Sequence, residues 1–188
     1  MGTTTPGRVS PTNFIDSFKI ELSAFHLARI AKIDQFDYTC VIKKVNRDLG
    51  GVTATYLLNG ADNLKRYYIV ALLDPRNRHA VSKSVDPFWH SHVLFTRQYK
   101  DFCHDVFDGE FIHHVPLDPE DAKMVKHVQE LYDYTLEVYK GIFKKVDGDW
   151  WPSSSVAGFQ TVCLHEEVHG DEIVKNGLFS ERPDLRAD

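Results

Sequence analysis

Five of the ten histidines in this 188-residue chain lie between Val85 and Pro116, in the run VDPFWHSHVLFTRQYKDFCHDVFDGEFIHHVP. Imidazoles gathered this densely suit a divalent transition metal, zinc, iron or copper, which takes three or four N, O or S ligands at about 2.0–2.3 Å. Helix geometry limits which of them can work together. Asp86-Pro87 is a helix-start signal, and at roughly 100° per residue His90 and His92 diverge by about 200°, so one regular helix cannot aim both into one site. His92, Thr96, Tyr99 and Cys103 share one face, and His90, Leu94 and Arg97 another. His92 and Cys103 would lie about 16 Å apart along the axis, too far for one ion. A site therefore needs His113 or His114 to fold back from the turn that follows. Asp86, one turn before His90 on the same face, could serve as a third donor, but its place before Pro87 points first to a helix cap whose carboxylate is already engaged. Tyr99 or Arg97 would orient a substrate. Cys103 beside His104 reads as a nucleophilic dyad, but adjacent helical residues point about 100° apart, so Cys103 too needs His113 or His114 as a partner. Set beside Trp89, Phe95 and Phe102, the same histidines also suit a hydrogen-bonded brace between a loop and a helix.

A second constellation is His165-Glu166-Glu167-Val168-His169, a literal H-E-x-x-H. On a helix that spacing puts two zinc-binding histidines on one face, with the first Glu as general base of a hydrolase or peptidase. Gly170 weakens such a helix, and Ile173 and Asn176 stand where the extended pattern wants Gly and His. Only nineteen residues follow His169, with Glu181 the main candidate for a third ligand. In a weaker form of the idea, His165 or His169 completes the site begun by the central histidines. Cys163, two residues before His165, adds a Cys-x-His pair that specifies little alone.

The elements that must position these residues read as mainly or wholly helical. Residues 1–11 form a flexible arm, 12–180 a single helical domain and 181–188 a loose tail. The periodicity predicts helices from Thr12 or Asn13 through Phe14, Phe18, Leu22 and Phe25; from Phe36 to Leu49, capped by Asp34 and stopped by Gly50-Gly51; and from Thr53 to Leu73, with Asn59-Gly60 a potential break. A loop follows, with His79 exposed. The fourth helix runs from Asp86 to about Phe107, ended by Asp108-Gly109. The fifth starts at Asp118-Pro119 and carries an unbroken apolar face from Val125 to Phe143, stopped by Asp147-Gly148-Asp149. The expectation is a bundle of about five helices with an irregular C-terminal segment, in which Phe159–Val168 is a strand or a short helix.

Composition narrows the partners. Apolar residues make up 43% and aromatics 12%, which suits a packed core. The formal net charge is −5 without a basic block, which argues against nucleic acid as a partner. No apolar run approaches the roughly 20 residues of a membrane span, and the N-terminal MGTTTPGRVSPTN lacks the apolar core of a secretory signal. Cys40, Cys103 and Cys163, odd in number and widely spaced, fit a reducing, cytoplasmic setting.

The run Val85-Asp86-x-x-Trp89-His90-x-His92-x-Leu94-x-Thr96-x-x-Tyr99-x-x-x-Cys103, followed by Phe107-x-Gly109 and His113-His114-x-Pro116, resembles the short bacterial proteins called glycine-rich domain-containing-protein-like. The likeness spans roughly residues 55 to 152, through the Tyr132–Tyr139 helix and Trp151-Pro152. It implies a mostly helical domain whose pattern includes Asp86, Trp89, His90, His92, Tyr99, Cys103, His113 and His114. This chain departs from the pattern by an extra residue before Gly109, and the HEEVH tail lies outside it. The expected function is a small metal-binding protein, extending to a metal-dependent enzyme acting on a small molecule. The alternative is a non-catalytic interaction module whose His and Trp residues are structural.

Overall fold

The computed structural model describes residues 14, 17–156 and 159–186. The first helix, α1, is Ala24–Gln35. It begins a dozen residues later than its periodicity suggests; Thr12 and Asn13 lie outside the described residues. The reason is a reciprocal cap. The Ser23 hydroxyl accepts from the His26 N–H at 3.4 Å, and the His26 ring accepts from the Ser23 N–H at 3.3 Å. Phe14 and Phe18 are buried as expected, but Phe18 sits in an extended bridge to Phe143, the two rings 5.5 Å apart.

Helix α2, Thr39–Leu49, starts after Tyr38 rather than at Asp34, and Gly50 ends it with φ 59°. Asp34 is not a cap. Its carboxylate accepts from the buried Lys65 ammonium at 2.8 Å. Helix α3, Ala54–Leu73, is capped by Thr53 and runs unbroken through Asn59-Gly60. Gly60 serves a different purpose there, since a Cβ at this position would lie 2.0 Å from the Phe88 ring.

The segment expected as a loop after α3 contains a strand, β1, His79–Ser82, and His79 is fully buried rather than exposed. The single helix expected from 86 to 107 is two: α4, Asp86–Leu94, and α5, Thr96–Val106, broken at Phe95. Neither Gly nor Pro marks the break. Phe95 leaves the helical region to pack its ring on the core, and its N–H bonds to the His92 carbonyl instead of continuing the ladder. Asp108 and Gly109, both at positive φ, turn the chain as expected. Strand β2, His114–Pro116, follows. Asp121, not Asp118, caps the long α6, Ala122–Ile142, which already stops at the extended Phe143. Strand β3, Thr161–His165, and a short α7, Asp171–Lys175, complete the order.

The strands form one antiparallel sheet in the order β1-β3-β2. Its register places His79 opposite His165, and His165 opposite His114, so three histidines cross the sheet in one row. Tyr67 and Tyr68 of α3, Trp89 of α4, Tyr132 and Tyr139 of α6, and Trp151 form the aromatic centre of the core. The tail is held in part: the Arg182 N–H donates to Asn77 at 2.7 Å, and Pro183–Leu185 is a 3-10 turn. The protein is thus mainly α, with seven α-helices among the described residues rather than five, and a small sheet that excludes an all-α class. No helix among them is long and apolar enough to cross a membrane.

Candidate metal centre

Asp86 opens α4, where its position invites a reading as the N-cap. The cap residue is Val85, with no side-chain hydrogen bond, so the Asp86 carboxylate is available elsewhere. It faces the sheet. Its Oδ1 accepts from the Cys163 thiol at 2.8 Å and lies 3.1 Å from His114 Nε2. Cys163 comes from β3 and His114 from β2, so three elements bring a carboxylate, an imidazole and a thiol to one point. The ligand atoms all lie within 4.8 Å of one another, the one such group of three among the described residues.

The electrostatics follow from this packing. Burial pushes the Asp86 carboxyl up, but hydrogen bonds from His114 and Cys163 and the nearby His114 and His90 rings outweigh it and hold the group below its ordinary value. Burial first, and then the Asp86 charge, push the Cys163 thiol well above its ordinary value. The carboxylate therefore sits between thiol and imidazole, the reverse of a nucleophilic Cys-His-Asp relay in which the imidazole takes the thiol proton. A free thiolate is not the chemistry of this arrangement. A cation that replaces the thiol proton is compatible with it.

Other side chains hold the three donors in place. The Trp89 ring lies 4.7 Å from the His114 ring and 5.2 Å from Tyr67. The Trp89 indole N–H reaches the Tyr99 hydroxyl at 3.5 Å, and that hydroxyl donates to the Ile112 carbonyl at 2.6 Å. Tyr99, expected to orient a substrate, thus anchors the chain leading into β2 and is buried. His90 is exposed, with its ring 5.4 Å from that of His114.

The remaining expected residues are not brought to this point. His92 is fully buried beneath Phe36, Tyr38, Tyr99 and Phe102, and its Nδ1 is 2.7 Å from the Tyr68 hydroxyl. Burial lowers its pKa to about 3, so it stays neutral. The break at Phe95 makes the His92–Tyr99 contact: seven residues of straight helix would separate them by about 10 Å, yet the ring centroids are 5.0 Å apart. Cys103 is buried, and burial pushes its thiol up to about 11, which removes it as a nucleophile. His104 and Arg97 are exposed, and His113 stacks on Phe111 away from the cluster's row.

The HEEVH motif does not form the helical face it needs. His165 ends β3, and the next five residues have no regular structure. Glu166 and His169 are exposed, while Glu167 pairs with Arg78 at 3.1 Å. His165 itself is buried, its Nδ1 2.7 Å from the Glu166 carbonyl; burial, aided by His79, lowers its pKa to about 3. The donor that sequence reasoning undervalued is Cys163. Its signal was the Cys-x-His spacing, which becomes meaningful only in a strand, where residues two apart share a face.

No curated protein and no solved structure matches the chain. A family model does, over residues 28–131, a span that contains Asp86, His90 and His114 but stops short of Cys163. By that match, which covers more than half its length, the chain belongs to the UCP032817-like family.

Proposed function

We propose that the protein binds one divalent transition-metal ion through Asp86 Oδ1, His114 Nε2 and Cys163 Sγ. The observation that carries this reading is the convergence of these three donors from α4, β2 and β3 within 4.8 Å. The donor set favours zinc: thiolate, imidazole and carboxylate together suit a borderline ion with tetrahedral preference, with iron and copper the competitors. On zinc, the Asp86 oxygen and Cys163 sulfur would stand about 3.5 Å apart, so the present 2.8 Å separation must open by less than about 1 Å. Such an ion would support chemistry on a small molecule, and the kinship with glycine-rich domain-containing-protein-like proteins is proposed on the same WHxH and HHxP residues.

A second reading rests on a specific observation. The three side chains already satisfy one another by hydrogen bonds, which makes a metal-free clasp between helix and sheet self-sufficient. Elemental analysis of untagged protein separates the two. The metal reading expects stoichiometric zinc that is lost in Cys163→Ala and His114→Ala and retained in His104→Ala. Absence of metal from the wild type after incubation with zinc, or its retention in Cys163→Ala, overturns it and leaves the clasp.

A further inference from the structure

Resting on that metal reading, we infer that His90 is the fourth ligand of the ion and its one exchangeable ligand. Its position on α4 comes first. His90 follows Asp86 by four residues, so the two side chains rise from the same face about 5–6 Å apart. The second support is metric. Two imidazoles bound to one tetrahedral zinc through N–Zn bonds of about 2.0–2.1 Å have ring centroids about 5 Å apart. The His90 and His114 rings are 5.4 Å apart and 63° inclined. The His90 side chain is exposed, and a rotation of it would bring its ring to the ion beside His114.

Exposure sets the order of exchange. Cys163 is fully buried, His114 is 11% exposed and Asp86 22%. Of the four, His90 alone is exposed. The ion enters and leaves past His90, and a small ligand that reaches the ion does so by taking its place.

Charge then selects the class of that ligand. Thiolate and carboxylate together cancel a dication, so the position His90 leaves carries no net pull on anions. The side chains in contact at the site are His114 and Cys163 on Asp86 and the His90 ring against His114, and none of these is a lysine or arginine. Neutral nitrogen donors of imidazole size therefore fit the position better than phosphate.

The test uses Co2+ as a spectroscopic stand-in for zinc on the full chain. The wild type takes up one Co2+ with the intense visible absorption of a four-coordinate, sulfur-ligated ion. His90→Ala binds Co2+ at least about tenfold more weakly, a loss no smaller than that seen when outer-shell partners are removed, and its spectrum departs from the four-coordinate form. Imidazole added to His90→Ala restores the wild-type spectrum and affinity, and phosphate at the same concentration does neither. Unchanged affinity and spectrum in His90→Ala overturn the fourth ligand and leave the three-residue site standing. Rescue by phosphate rather than imidazole overturns the charge argument. Failure of the wild type to bind Co2+ overturns the metal reading itself. His90 is exposed, so the substitution leaves the fold intact.

Discussion

Two aspartate–histidine pairs of equal length stand at opposite ends of the histidine row that crosses the sheet. Asp74 and His79 are 3.1 Å apart, as are Asp86 and His114. The first pair is wholly buried, and every other partner around it is a hard hydrogen-bonding group. Asp74 also accepts from Asn77 at 2.6 Å and from the Tyr134 hydroxyl at 2.7 Å, while His79 Nδ1 lies 3.2 Å from the Thr135 hydroxyl. Asn77 then reaches the Ser180 carbonyl and the Arg182 N–H, which ties the C-terminal segment to the body. The second pair is partly exposed, has a thiol as its third member and an exposed imidazole at its edge. One pair is a strut and the other a candidate site. The pair itself does not decide between these roles; access and the softness of the third donor do.

The comparison can be broken most directly by removing each aspartate. Asp74→Ala leaves His79, Asn77 and Tyr134 without their common acceptor in a dry interior, and the expected loss is about 3–5 kcal/mol by denaturant unfolding. Asp86→Ala leaves a partly buried imidazole and a buried, weakly polar thiol unpaired, with an expected loss of about 1–2 kcal/mol and the loss of any bound metal. Equal costs for the two would erase the distinction between strut and site.

Acid sharpens it. Burial pushes the Asp74 carboxyl up, but the His79, Tyr134 and Asn77 contacts outweigh burial and hold it below its ordinary value. A carboxyl depressed in the fold contributes stability above its unfolded value of about 3.9, and that stability is lost as pH falls through the lower folded value. Asp74→Asn should therefore flatten the acid limb of stability measured below about pH 4. An unchanged limb would show that other carboxyls set it.

The smallest effect is expected at Glu166. It is exposed and outside any helix, so Glu166→Gln should alter stability by no more than about 0.5 kcal/mol and leave metal content unchanged. A loss of metal there would return the HEEVH segment to the site.

The long helices were readable because α3 and α6 repeat their apolar faces over five turns or more, which averages out local exceptions such as Asn59-Gly60. The sheet was not. Its strands are three to five residues long, and Ala80 pairs with Leu164, 84 positions further along, so no local pattern announces them. The site inherits that division. His90 was identified as a donor on the helix and His114 on the turn behind it, with Asp86 weighed as a third. Cys163 was passed over, because only the register of β3 aims it at Asp86. Asp86 itself was assigned first to a cap, since an Asp before Pro at a helix start looks the same whether its carboxylate turns inward to the N–H groups or outward to a neighbour.

Gly60 has a reach beyond its own helix. Phe88, whose ring occupies the space a Cβ at 60 would need, lies midway between Asp86 and His90 on the short α4. A single added methyl group on α3 would push that ring, and α4 with it, away from its seat, while the sheet carrying His114 and Cys163 stayed behind. Gly60→Ala would thus injure the donor cluster from a distance, shifting Asp86 and His90 against the sheet without touching any donor. The missing side chain at position 60 works as the gauge that sets the gap between the helix half and the sheet half of the site.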